Sequence, residues 1–346
     1  MNQIPDKVPD EDDWVSLSNV FIDTYYEQKF FGKTRSEMLA YFIDNPLSAS
    51  EALSYMPAAP FQYYVFAFKD AFETDAYFKN GEPNLEAPSA VSTFLRLLRS
   101  KLTETPQDIL PVLELLMPIA EYVSANQEKF DADLDIFDSF PEIFKEITVL
   151  FEWTKRWHPV ILPQSPPALP RDCELVLLNL GFPQVVEIRC YNDITLEFSG
   201  KLTKLSDIWQ RDTDTGLKLG TMPKDWNRFW HVADQKYLQG GGWICIEEKT
   251  GKLFVIDLDL SEPVFLLCSS VQNLYRLLLH ANLWTENTDG NSNAIKKLRR
   301  ELLSLTNFSS KELGPFWINI IDATLDQESP HLAFTVREGK NERLST

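Results

Sequence analysis

An α+β protein in two parts is what the sequence predicts: an all-helical first domain, then an α+β domain whose mainly antiparallel sheet is flanked by helices. Three observations carry this. Up to about residue 157 apolar residues recur at spacings of three and four, the period of a helix face. Beyond about residue 171 the pattern changes to β-rich runs and period-two alternation. Between them, five prolines fall within the twelve residues from Pro159 to Pro170, which disfavours both helix and central strand. A chain of 346 residues also exceeds the size at which one core keeps growing. The expected division is an acidic helical domain over 1–157, a Pro-rich linker over 158–170, the α+β domain over 171–330 and a tail over 331–346.

In the first domain, helices are expected near 14–30, 35–43, 49–56, 61–72, 89–101, 107–124 and 142–157. Thr34-Arg35-Ser36-Glu37 and Ser48-Ala49-Ser50-Glu51 each set a hydroxyl three residues before a glutamate, the spacing of a capping box. Thr105-Pro106 reads as a cap followed by proline at the first helical position. In the second domain Val185 to Cys190 is β-rich, and Ile194, Leu196 and Phe198 alternate with polar residues. Trp243 to Glu247 and Leu253 to Leu258 flank Lys249-Thr250-Gly251 as a hairpin would, and Pro263 to Cys268 is a further apolar run. Helical faces return with Val271, Leu274, Tyr275 and Leu278, with Ile295, Leu298, Leu302 and Leu305, and with Leu313, Phe316, Trp317, Ile320 and Ile321.

Charge separates the two parts. Residues 1–155 carry 12 Lys or Arg against 27 Asp or Glu, a net of −15, while the remainder, 21 against 24, carries −3. Such a field repels nucleic acid and anionic membranes and either steers a basic protein surface inward or serves solubility alone. The start of the chain has no basic segment followed by an apolar run, and no stretch approaches the length of a membrane span. Cys173, Cys190, Cys245 and Cys268 are widely spaced, which fits reduced, mostly buried thiols and a cytoplasmic address.

Motifs for catalysis are sparse. The four histidines, His158, His231, His280 and His331, stand apart from one another, and there is no P-loop, G-x-S-x-G or H-E-x-x-H. Gly240-Gly241-Gly242 precedes a strand rather than a helix, so it reads as a bulge or turn. Asp131, Asp133, Asp135 and Glu142 match calcium-loop spacing, but Ile136 stands where the sharp turn needs glycine and Pro141 interrupts the end. A solvated acidic loop, or an acidic patch facing a basic partner, is the better reading of Asp131, Asp133, Asp135 and Asp138. The aromatic run from Tyr55 to Tyr64 reads first as a helix–helix core. Trp226 and Trp230, if exposed, are candidate anchors for a partner. No cofactor, metal or catalytic residue is expected.

From about 168 to 325 the chain resembles the SUKH superfamily, in particular the larger immunity proteins of bacterial polymorphic-toxin systems. The resemblance rests on four stretches in order. Arg171 to Pro183 is similar to a leucine-rich opening helix that ends at glycine, an apolar residue and proline. Gly241 to Asp257 is similar to the family hairpin turning at Thr-Gly, and Val264 to Leu283 to its strand, Ser-Ser cap and long helix. Leu313 to Ile321 is similar to the terminal helix with its Phe-Trp pair. Trp226 to Tyr237 departs from the pattern, being polar and aromatic where a cleaner strand belongs. The resemblance implies a cytoplasmic antitoxin that neutralises a cognate toxin by binding without catalysis, and the acidity of the first half points to a basic toxin domain as the partner. A general interaction or scaffold protein is the alternative.

Overall fold

The computed structural model describes residues 4–14, 28–190, 193–216, 219–237, 240–259 and 263–287, with 295–296, 299–300, 317, 322, 325 and 333–337. It is a mixed helix and strand protein whose contacts divide it into two compact units, Met1–Phe151 and Glu152–Thr346.

The described part of the first unit is built from α1 (Arg35–Asp44), α2 (Pro46–Tyr55), α3 (Ala58–Tyr64), α4 (Phe66–Glu73), α5 (Ala87–Glu104), α6 (Pro106–Ala125) and α7 (Phe140–Thr154), the last running just past the division. The expected helix over 14–30 lies largely outside the described residues. Thr34 forms the capping box with Glu37 in full. Ser48 does not cap: Pro46, pre-set for the first helical position, starts α2 a turn earlier and leaves Ser48 inside it. The single helix expected over 61–72 is two, joined by a tight Phe68 N to Val65 O bond of 3.2 Å. Thr105 stands at the cap of α6, yet its hydroxyl makes no cap bond. A small hairpin, β1 (Phe78–Lys79) with β2 (Glu82–Pro83), interrupts the helices.

Aromatic rings fill the first unit's core. Phe42 meets Phe68 at 5.0 Å, and Phe94 meets Phe68 at 5.6 Å and Phe72 at 5.5 Å, tilted or edge-on as ring quadrupoles favour. Inside this apolar packing lies one ion pair. Lys101 of α5, 4% exposed, donates to Asp108 of α6 at 2.9 Å, with its ammonium 4.7 Å from the centre of the Phe61 ring.

In the second unit are β3 (Trp157–His158), α8 (Arg171–Asn179), β4 (Phe182–Pro183), β5 (Val185–Arg189), β6 (Ile194–Lys204), α9 (Leu205–Asp214), β7 (Phe229–Tyr237), β8 (Gly240–Glu247), β9 (Leu253–Ile256), β10 (Val264–Cys268), α10 (Val271–Asn287) and β11 (Ala333–Arg337). Seven strands form one antiparallel sheet in the order β10-β9-β8-β7-β6-β5-β11. The expected hairpin is present, with Gly251 at φ +67° in its turn. Three features differ from expectation. Gly240 to Gly242 open β8 instead of turning, paired with Tyr237 to Gln235 of β7, and glycine is needed at 242 because a Cβ there would lie 2.7 Å from the Ile256 carbonyl oxygen. The polar stretch Phe229–Tyr237 is the central strand β7. The expected tail contains β11, which pairs with β5.

The proline-rich stretch is stitched to the second unit at its start. β3 pairs with β4, Val160 N donates to Leu177 O at 2.8 Å, and Ile161 exchanges bonds with Gly200 O and Leu202 N. Trp157 anchors it, with its ring centre 4.6 Å from that of buried Tyr275. Of the remaining expected helical faces, only Ile295 and Trp317 are described with side chains, and both are buried.

Candidate functional site

The acidic segment predicted from spacing is the loop between α6 and α7, and one side chain ties its base. Gln127 donates to the carbonyls of Ala132 and Asp138 at 3.2 and 3.3 Å and accepts from Phe140 N at 2.8 Å. A short helical turn, Glu128–Phe130, sinks Phe130 into the core, and Asp131 then takes a left-handed φ of 53°, which aspartate tolerates. Asp133 accepts from Asp135 N at 2.9 Å and its carbonyl accepts from Ile136 N and Phe137 N, so the loop closes on itself.

What this geometry leaves on the surface is distinctive. Asp131, Asp133 and Asp135 are exposed, and Asp138 pairs with Arg96 of α5. Between the aspartates, Leu134 and Ile136 are 68% and 75% exposed. Among the described residues no three His, Cys, Asp or Glu side chains converge to hold a metal ion. Branched aliphatic side chains interleaved with carboxylates suit a protein surface that is basic at its rim and apolar at its centre.

The two tryptophans proposed as anchors are placed otherwise. Trp226 belongs to a buried cluster with Leu205, Ile208, Phe229, Trp243, Cys245 and Ile256, and the ring of Trp209 stands 5.8 Å from those of both Trp226 and Trp243. Trp230 is also buried, with the Lys204 ammonium 5.4 Å from its ring. Neither presents a free ring: a surface anchor needs exposure, and the neighbouring strands and α9 remove it. The Tyr55 to Tyr64 run is mostly core too. Burial raises the Tyr64 phenol above its ordinary value, and its hydroxyl donates to the carbonyls of Phe30 and Lys33.

One polar arrangement escapes reading from sequence. The register of β7 shifts between His231 and Ala233, a β-bulge that puts His231 and Asp234, three residues apart, on the same face. His231, 2% exposed, lies with Nε2 2.9 Å from Asp234, while its Nδ1 is buried with no hydrogen-bond partner. Burial pushes the Asp234 carboxyl up, but the His231 bond and the charges of His231, Arg211 and Lys236 outweigh this and hold it below the usual range. Cys245 opposes His231 across the ladder, yet burial raises its thiol well above the ordinary value, so no thiolate is prepared there. The pair links two positions of β7 across the bulge. The folded pKa of Asp234 is depressed, so the stabilisation it brings is present above about pH 4, the unfolded value, and is lost as pH falls through the lower folded value. Asp234→Asn is accordingly expected to lower the urea midpoint of the second unit at pH 7, with the deficit shrinking as the pH falls below about 4.

Among the described residues no helix is long and apolar enough to cross a membrane. Comparison with family models, with curated proteins and with solved structures finds no match for this chain.

Proposed function

We propose that this chain is an immunity-type antitoxin that neutralises a cognate bacterial toxin by direct binding, without catalysis, and that the 131–138 loop is part of the contact. The supporting observation is the pairing of exposed Leu134 and Ile136 with Asp131, Asp133, Asp135 and Asp138 in the more acidic half of the chain. The −15 charge draws a basic toxin domain in, and the apolar pair, desolvated on contact, holds it. The SUKH resemblance of the second half supplies the biological class, as an analogy of fold and not of site. The cytoplasm is the corresponding compartment.

The test is affinity capture from the native host at low and high salt, followed by co-expression of each captured protein with the chain. One dominant basic partner, toxic alone and harmless when co-expressed, is the expected result. Leu134→Ser with Ile136→Ser should weaken its binding at least tenfold, the size of a modest hot spot. The four Asp→Asn changes should instead slow association, most strongly at low salt. Many housekeeping partners, or none, would overturn the antitoxin reading; the former outcome would make the chain a scaffold.

A further inference from the structure

Just before the acidic loop, one lysine is held by three other segments of the first unit. The Lys129 ammonium donates to the Tyr122 hydroxyl at 2.6 Å, lies 4.7 Å from the centre of the Phe78 ring and 5.3 Å from that of Tyr122, and reaches the Asp75 carboxylate at 4.0 Å. Tyr122 comes from the last turn of α6, Phe78 from β1 and Asp75 from the turn before it. Buried Phe130 sets their spacing, with its ring centre 5.2 Å from that of Phe78 and 6.4 Å from that of Tyr122. The lysine side chain nonetheless remains 44% exposed, on a flexible stem.

Each element of this arrangement answers one property of a primary ammonium. An aromatic face attracts the cation through its quadrupole, the phenol oxygen accepts an N–H, and the carboxylate opposes the charge. A single cation–ring contact is ordinary, at roughly one per 70–80 residues. Here two rings, a phenol oxygen and a carboxylate converge on one ammonium, and the next residues in the chain are the exposed loop. We propose that Phe78, Tyr122 and Asp75 form a recognition seat for a lysine side chain of the protein partner, and that Lys129 is its resident occupant in the free chain. This rests on the reading that the acidic loop is a binding surface and adds the chemistry of one contact to it. The partner's lysine replaces Lys129, which swings into solvent without disturbing the rings, because Phe130 holds them from below.

Titration of the full chain with Nα-acetyl-lysine N-methylamide, followed by saturation-transfer NMR, tests the seat without knowing the partner. Lys129→Ala vacates the site and is expected to bind the lysine amide at least tenfold more tightly than the wild type. Adding Tyr122→Ala or Asp75→Ala to that variant should abolish the gain. The lysine amide trimethylated at Nζ, whose ammonium has no N–H to donate to Tyr122, should bind more weakly than the lysine amide. Lys79→Ala removes one positive charge next to Phe78 in the hairpin but outside the seat and should gain nothing. An equal gain in Lys79→Ala, or none in Lys129→Ala, overturns the seat, since the first means bulk charge and the second means no site. Lys129 is an exposed side chain, and thermal unfolding of each variant checks that the fold is kept. A flat titration alongside partner loss in the Leu134→Ser/Ile136→Ser variant would leave the loop reading standing. A gain in lysine binding with no captured partner would leave the seat and remove the loop reading.

Discussion

Gly181→Ala is expected to lower the stability of the second unit by more than about 3 kcal/mol, in the upper tail of single substitutions. A Cβ placed on Gly181 would lie 1.6 Å from the His158 carbonyl oxygen and 2.3 Å from its carbon, atoms of backbone that cannot rotate aside. The residue also has φ +68°, which costs any L-residue about 1–2 kcal/mol. Gly200→Ala separates the two effects: its φ is +67°, but nothing lies within 4 Å of the added carbon. The difference between the two variants in urea unfolding is therefore the cost of pushing β3 off β4. Equal midpoints would show that the strand pair yields freely and that crowding plays no part.

The second large effect belongs to the first unit. Asp108→Ala leaves the Lys101 ammonium unpaired at 4% exposure, and breaking a buried pair by removing one partner costs about 3–5 kcal/mol. The remaining acceptor, Met56 O at 3.5 Å, and the Phe61 ring do not replace a carboxylate. Lys101→Met with Asp108→Leu removes both charges and fills the space, and most of the stability should return, because the desolvation cost disappears along with the attraction. A double variant as unstable as Asp108→Ala would show that packing, not the stranded charge, sets the loss. Chemical denaturation followed by far-ultraviolet circular dichroism distinguishes these outcomes.

Legibility from sequence follows how local each determinant is. The Thr34 cap, the Lys249-Thr250-Gly251 hairpin and the change of period depend on residues within a few positions of one another, and each is readable. β7 is hidden because the bulge at Val232 places His231 and Asp234 on one face and so breaks the alternation by which strands are recognised. Ser48 misleads because Pro46, two residues away, outranks it as a start signal. The loop of aspartates is legible as acidic. That Leu134 and Ile136 stand out from it is not, since exposure depends on Gln127 and Phe130 fixing the loop from the inside. The lysine seat is out of reach for a similar reason: Asp75, Phe78, Tyr122 and Lys129 meet only through the tertiary packing of Phe130.

The stitching of residues 157–161 onto β4 and β6 bears on how the second half can be excised or exchanged. A run of five prolines invites a cut, yet a fragment beginning at Pro159 would leave Trp157 and His158 behind. It would empty the place that buried Trp157 fills beside Tyr275 and Phe182, and remove the carbonyl that Gly181 exists to accommodate. The workable seam for grafting lies between the end of α7 at Thr154 and Trp157, and a chimera joined within the prolines would inherit β4 without the strand that pairs with it.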